Sequence, residues 1–517
     1  MKELYSTENR LVLIAITVTL LTILLVTPSV FSANGGVSVL YGPEKISTGG
    51  DEDTPVIALD SYGSAHIVWV NGSQGYFLMY KMVDADGNVL IDETILNPCA
   101  DNTSKHVRRP AMVIDANNDM HVVFHGFSNY TDFGPDEYGS RVDLAAPEIL
   151  YMKINPYLDD RDGSSADFYT ITEIPETIIS TDDGTRSRAP NIAIDVFNRL
   201  HVVWYDGPSV TDYLDIQYLG MDVDGNVLVT EQTLTSTINM DVDWGEPEIA
   251  TDSGGNAHIV YSTDNNTASR EIYYMMVDGD DGSTRIDDTA ITLDDDNASV
   301  RAFVAIDSKN LVYVVWHDKR LYNLGTGEHE LFASILDPSR DDQDGSAADP
   351  SVISLISEQM ATTDDGYRSY LKNLAIDPGD RVHVAWVDMY GYDPEDEEEW
   401  GKGEIYYLLG DRGPVIPETR ITYFDGEIDP CYWDWPASSG RNPDIVATCD
   451  RAYITFHGYN NTADTCDVYL VILGVPPCSP VGGVILPIDS LLFITPYIAV
   501  IIAVVSVAVA VVKKHRY

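Results

Sequence analysis

An acidic loop written twice supplies the first residues whose spacing could do chemistry. Asp159-Asp-Arg-Asp-Gly-Ser-Ser-Ala-Asp167 returns as Asp341-Asp-Gln-Asp-Gly-Ser-Ala-Ala-Asp349. Asp-x-Asp-Gly puts two carboxylates on one side of a tight turn, as a hard divalent cation such as calcium requires. The candidate ligands are Asp160, Asp162, Asp167, Asp342, Asp344 and Asp349. Leu158 and Arg340 stand where an EF-hand has its first ligand, and no Glu closes either loop, so a solvated acidic turn is the competing reading. A second set is cationic. Arg108, Arg188 and Arg441 each lie two residues before a proline (Pro110, Pro190, Pro443) that opens an apolar segment, with Arg301 at a nearby place. Guanidiniums gathered this way could grip a carboxylate through paired hydrogen bonds, or pair with acidic neighbours. Trp433 and Trp435 offer flat faces for a sugar ring or a protein partner, or simply cap a core.

His66, His121, His201, His258 and His383 recur at one spot of a repeat, with Tyr313 and Tyr453 replacing them in two copies. An active site uses each role once, so this recurrence reads as architecture. The Asp before each His ends a segment in a turn, and the His opens the next with a ring nitrogen to a neighbouring backbone group. No catalytic residue is assigned.

The elements that position these residues follow from that repeat. Between Glu44 and Gly474 a pattern occurs seven times: an apolar segment ending in Asp, a turn, a second segment usually ending in an aromatic, and a third rich in Tyr. Pro190-Asn-Ile-Ala-Ile-Asp195, His201-Val-Val-Trp204 and Asp215-Ile-Gln-Tyr218 make one clear copy. A fourth segment, such as Glu93-Thr-Ile-Leu96 or Glu231-Gln-Thr-Leu234, precedes the next copy. Four short alternating segments per unit predict an all-β, seven-bladed β-propeller. The seventh copy ends at Pro476-Pro477 without a fourth strand, whereas Glu44-Lys-Ile-Ser-Thr48 is an orphan fourth strand before the first copy. The expectation is that this N-terminal strand completes the last blade and closes the ring, leaving no exposed edge. No helix is signalled outside the two terminal apolar runs. Blades two and three read as duplicates of blades five and six. The longest insertions between second and third strands, 127–147, 319–329 and 389–403, elaborate one face of the ring.

Asp84-Ala-Asp-Gly-Asn88 and Asp222-Val-Asp-Gly-Asn226, with the inner pattern Pro-x-Ile-Ala-x-Asp followed by His-Val-Val-Trp, resemble the Asp-box repeats of sialidase-like propellers. The usual Ser before and Trp after the turn are missing. The resemblance spans all seven units and implies the propeller fold. A sialidase itself would need three arginines, a Tyr–Glu pair and an Asp acid around the central pocket. The arginines above match the first requirement, and the other roles fall on no residue here. The tail Val481-Gly482-Gly483-Val484-Ile485-Leu486-Pro487, leading into Leu491, resembles the C-terminal anchors of archaeal cell-surface proteins.

Residues 1–33 read as a signal peptide or signal anchor, 44–474 as the propeller, and 475–490 as a short stalk. Residues 491–512 carry no charge and are long enough for a transmembrane helix, and 513–517 form a basic cytoplasmic tail. The propeller is then extracellular on a single-pass anchor. A net charge of −51 repels phosphate backbones and argues against nucleic acid. Cys449 with Cys466, and Cys99 with Cys431, are candidate disulfides, with Cys478 left over. The sequons at Asn71, Asn102, Asn129, Asn265, Asn297 and Asn460 all fall in expected loops, as glycosylation would need. The function expected is binding of an extracellular glycan or protein. A sialidase-like glycoside hydrolase or lyase is the alternative, a structural envelope component the third reading, and calcium the one cofactor suggested.

Overall fold

A computed structural model describes residues 36–50, 52–72, 77–98, 107–126, 133–135, 141–143, 146–207, 214–235, 247–263, 269–324, 329–390, 402–410, 414–424, 428–430, 443–463 and 465–478. Seven antiparallel blade sheets follow one another along the chain, and Phe133–Pro135 and Arg141–Asp143 form a separate two-stranded ribbon. In blade one the strands are Glu52–Leu59, Ala65–Asn71, Phe77–Val83 and Val89–Ile95, paired in that order. Blades two to six repeat this order, and blade seven is built on Asp444–Ala447, Arg451–Asn460 and Thr465–Gly474.

The missing edge of blade seven is filled by Ser38–Lys45. It runs antiparallel to Thr465–Gly474, with Glu44 opposite Leu470 and Lys45 opposite Tyr469. The closing strand begins at Ser38, earlier than the sequence pattern indicated. Beyond it, Ile46 N–H donates to the Val468 carbonyl at 2.8 Å and Val468 N–H to Ser47 Oγ at 2.9 Å.

The core is a set of layers between blades. Trp69, Trp204, Trp316 and Trp386, each on a second strand, are fully buried. Each lies against the preceding blade: Trp204 with Val123 and Tyr151 of blade two, Trp386 with Phe303 and Val315 of blade five. Trp69 of blade one packs with Tyr453, Leu470 and Ile472 of blade seven, which closes the ring.

The repeated Asp and His form a buried network. His201 Nε2 lies 3.2 Å from Asp195 Oδ2, and its Nδ1 lies 2.7 Å from the Tyr218 hydroxyl. Asp60–His66–Tyr80 and Asp377–His383–Tyr407 have the same arrangement. The expected backbone partner is thus replaced by two side chains, because the Tyr-rich third strand places a hydroxyl behind each ring. These groups sit where first and second strands turn, at the end of the ring away from the first-strand entries. Replacing His201 by Ala is expected to cost about 1–3 kcal/mol by leaving Asp195 and Tyr218 unsatisfied. Denaturant unfolding measures this loss, and any activity of the folded protein should be unchanged.

Both acidic loops tie neighbouring blades together. Gly163 N–H donates to the Leu90 carbonyl at 3.0 Å, and Ala166 N–H to Thr94 Oγ1 at 2.9 Å, so the blade-two loop grips the outer strand of blade one. Gly345 and Ala348 repeat this on Arg285 and Thr289 between blades five and four. Asp167 and Asp349 cap one-turn helices, Phe168–Ile171 and Pro350–Ile353. With Arg320–Leu324 these are helices the sequence pattern did not signal.

Two expectations are corrected here. Cys449 bonds to Cys478, not to Cys466. Cys466 lies opposite Tyr459 at one end of blade seven, whereas Cys449 lies beyond Arg451, which pairs with Gly474 at the other end. At about 3.3 Å per residue the length of the strand separates them. Asn71 is not in a loop: it ends the second strand of blade one, buried, with its amide donating to Glu52 at 2.8 Å. Asn297 is buried in a turn and Asn460 ends a strand, while Asn102, Asn129, Asn265, Cys99 and Cys431 lie outside the described residues.

Ser38 and Cys478 leave blade seven together, at the end of the inner turns. Arg381 fixes this exit by donating to the carbonyls of Pro476 and Cys449. No helix among the described residues is long and apolar enough to cross a membrane. Both terminal apolar runs lie outside those residues.

Candidate functional site

Slips in the pairing of the first strands shape the site, and three of them fall at prolines. Proline cannot donate to the ladder and disfavours helical backbone at the residue before it, so a proline near a strand start breaks pairing there. The ladder slips between Asp53 and Val56, Arg108 and Ala111, and Arg188 and Asn191, around Pro55, Pro110 and Pro190. Thr54, Arg109 and Ala189, each just before the proline, have φ of 48°, 51° and 50°. In blade five Arg301 has φ 56° at the equivalent slip between Val300 and Phe303. Such left-handed backbone is uncommon for side chains with a Cβ, and bulges of this kind re-aim side chains next to sites. Here they stud the first-strand entries, which ring the mouth of the central channel.

One cluster gathers on blades five and six. His317 ends the second strand of blade five, at Val312–Asp318, and His329 immediately precedes the third, at Glu330–Leu336. Their ring centres are 4.8 Å apart. Tyr370, on the inner strand of blade six, meets His317 edge-on at 4.5 Å, and Tyr322 meets His329 edge-on at 4.9 Å. Arg301 lies over the Tyr370 ring at 5.1 Å and Arg368 over Tyr322 at 5.1 Å. Lys319 completes the group, with Arg270, Arg301 and Arg368 all within its electrostatic reach.

The electrostatics follow from burial among like charges. His329 is 8% exposed, and neither ring nitrogen has a hydrogen-bond partner among the described residues. Burial, then Arg368 and Lys319, push its pKa down to about 3. The imidazole is therefore neutral at any physiological pH, and its protonation is opposed by burial, Arg368 and Lys319 unless an anion joins them. Burial, then Arg270, Arg301 and Arg368, lower Lys319 to about 8. The carboxylates adjoining the cluster in sequence are engaged elsewhere. Asp318 holds Arg320 at 2.7 Å and the Trp316 indole at 3.1 Å, and Glu330 accepts from Thr362 at 2.6 Å.

Glu330 belongs to a rim that recurs around the same face. Ser180 donates to Glu148 at 2.5 Å and Thr292 to Glu271 at 2.6 Å. Burial raises Glu148 and Glu271 to about 7, and Glu330 and the inner-strand Glu52 to about 8. A raised acid stabilises the fold below its unfolded value and loses that contribution as pH rises through its folded value. Asp60, Asp195 and Asp377, lowered to about 2 against the opposing cost of burial chiefly by their histidines, lose theirs as pH falls from about 4 toward 2. Buried His329, neutral when folded, likewise disfavours acid between about 6.5 and 3. Stability is expected to be greatest near pH 4–5, to fall from there toward pH 8, and to fall again below about pH 4. Urea midpoints across this range check the shape, and Glu330→Gln should flatten the alkaline limb.

A second cluster lies on blades one to three. His125 is buried and held well below its ordinary pKa by burial first, then by Arg109, Arg188 and Arg108. Its Nδ1 lies 3.4 Å from the Ala189 amide nitrogen. Asp53, beside His457 at 3.6 Å, is raised by burial against the pull of His457, Arg108 and Arg109.

Of the residues expected at a ligand site, Arg108 and Arg188 therefore come together and Arg301 belongs to the other cluster. Arg441, Trp433 and Trp435 lie outside the described residues. Arg109 rather than Arg108 is the positional equivalent of Arg301. Sequence reasoning missed His125, His317 and His329, although subtracting the recurrent histidines from the eleven leaves these among a few. It also missed Tyr370, Arg368, Arg270 and Lys319, which carry no pattern. Asp160, Asp162, Asp342 and Asp344 lie in the interblade clips, away from this face. Among the described residues no three His, Cys, Asp or Glu side chains gather as a metal-holding group.

No family model matches the chain, and no curated protein does. Solved structures with a similar course include polysaccharide lyase Uly1, at 9% identity over 87% of this chain and 94% of that one, TM-score 0.47. An α-L-arabinanase of Penicillium chrysogenum with arabinobiose matches at 12% identity over 70% of this chain and 92% of that one, TM-score 0.39. A mutant of NanB sialidase from Streptococcus pneumoniae matches at 11% over 75% and 71%, TM-score 0.39. At these identities the likeness is one of fold alone.

Proposed function

We propose that the chain is a surface-held enzyme that cleaves acidic polysaccharide by elimination, at the channel mouth on blades five and six. The observation that carries this reading is His329, a buried neutral imidazole packed against His317 and Tyr322 with Arg368 and Lys319 in its field. In a 4-linked uronate the proton on C5 becomes removable once the adjacent carboxylate is neutralised, and Arg301 and Arg368 are placed to do that. His329 accepts the proton once the bound carboxylate offsets the cations that otherwise hold its pKa near 3. The electron pair forms the C4–C5 double bond as the C4–O bond breaks, and the Tyr370 hydroxyl protonates the departing oxygen. Proton return from the imidazolium to the phenolate restores the site, so nothing beyond substrate is consumed.

Hydrolysis would ask for two carboxyl groups flanking the bond. The described cluster contains none, and Asp318 and Glu330 are committed to other partners. This favours elimination over hydrolysis. Residues 491–512 are proposed to hold the ring outside the cell. Both described ends leave by the face opposite the mouth, so an anchor there leaves the site open to a polymer.

The test is to offer the full chain, in detergent, polygalacturonate, alginate and heparin beside neutral arabinan and amylose, and to count new reducing ends. Cleavage confined to acidic polymers is expected. Cleavage of the neutral ones, or of none, would sink the reading.

A further inference from the structure

The cluster on blades one to three has no part in the reaction proposed above, yet it is built around another buried imidazole. His125 is 8% exposed, and its neighbours in the field are three guanidiniums, Arg108, Arg109 and Arg188. In a chain of net charge −51 such a concentration of positive charge is against the trend of composition. The backbone is bent to make it. Arg109 and Ala189 both have left-handed φ, at 51° and 50°, and the second of these turns its amide toward His125 Nδ1. A nitrogen that accepts from a backbone amide carries no proton, so the neutral ring carries its proton on Nε2 and is a donor there. Positive charge and donors thus dominate the cluster, with one described carboxylate, Asp53, beside His457 and within electrostatic reach of Arg108 and Arg109.

We infer that this cluster is a second anion-binding station, which takes a carboxylate or sulfate group of the same polymer several sugar residues from the bond that is cut. The inference rests on the acidic-polysaccharide reading of the first cluster and adds a requirement: the substrate carries negative groups at both stations. Blades two and three lie three places round the ring from blades five and six. With sheets packed about 10 Å apart, the stations are separated by on the order of 20 Å. A disaccharide cannot reach both, and a longer chain can. Two stations on one chain also raise the effective concentration of the second contact, so affinity should climb with length in a step, not gradually.

The experiment is calorimetric titration of the full chain in detergent with a heparin disaccharide, a heparin decasaccharide and inorganic sulfate. The decasaccharide is expected to bind at least about tenfold more tightly than the disaccharide. Arg109→Ala with Arg188→Ala should abolish that advantage while leaving disaccharide binding, at the first cluster, unchanged. Nitrogen-15 histidine spectra of the wild-type chain give a readout that needs no variant. The His125 resonances should move with decasaccharide and not with disaccharide. Decasaccharide affinity that survives the double substitution, or His125 resonances that stay fixed, overturns the second station. So does inorganic sulfate that binds there as tightly as the decasaccharide, because the site would then serve a free anion. Decasaccharide binding that depends on Arg301 but not on Arg109 and Arg188 defeats the station and leaves the acidic-polysaccharide reading standing. Absence of binding by either oligosaccharide defeats both.

Discussion

Replacing His329 by Gln is expected to lower turnover of acidic polysaccharide by roughly 10²–10⁴-fold, the usual contribution of a positioned acid–base group. The side chain is buried, so little of its effect is on substrate capture, and KM should change by less than about threefold. The pH profile sharpens the test. Because His329 is held at about 3 in the free protein, no acid limb from this group should appear between pH 4 and 7 in wild-type kcat/KM. The alkaline side should be limited by Lys319, whose ammonium deprotonates near 8 and withdraws one of the four charges that make the carboxylate's neighbour acidic. Lys319→Arg keeps that charge and should carry the activity to higher pH. Initial rates of the three proteins from pH 4 to 10 read both effects. A His329→Gln protein with undiminished turnover would remove the imidazole from the reaction.

Trp69→Ala is expected to cost roughly 3–5 kcal/mol, the loss for truncating a fully buried large aromatic. The size matters less than the comparison with Trp316→Ala. Trp316 packs between blades four and five, which are joined in any arrangement of the chain, whereas Trp69 packs on Tyr453, Leu470 and Ile472 of the last blade. In a closed ring the two substitutions cost about the same. In an open stack Trp69 would face solvent and its removal would cost little. Guanidinium unfolding of both variants decides between these cases.

The ring was legible because strand arithmetic is a property of local pattern. Glu44 to Thr48 reads as a fourth strand without a blade, and Asp467 to Leu473 as a third strand without a neighbour, and these do pair. The repeated Asp and His were legible as architecture for the same reason, although their true partners, Tyr80, Tyr218 and Tyr407, come from the third strand of the same blade. The site was not legible, because what makes it is the exception to the repeat. His317 stands at a place taken by Val70 in blade one and Val387 in blade six, and Tyr370 where blade two has Arg108. Only the register of each strand pair shows that these singular residues face one mouth. The prolines at 55, 110 and 190 announced the inner strands, but the left-handed backbone of the residue before each comes with the slip in pairing to the second strand, and Arg301 shows it without a proline. The Cys449–Cys466 assignment failed on similar ground, since membership of one blade says nothing about which end of it a residue occupies.

The most direct measurement of the central claim is the mass of the new chain ends released from an acidic polysaccharide by the purified full chain. Elimination leaves a C4–C5 double bond at the new non-reducing end, so one of the two fragments should be lighter by one water than its hydrolytic counterpart, with matching ultraviolet absorbance. Saturated ends carrying the elements of water would contradict the account, and would place the catalytic groups outside the His329 cluster.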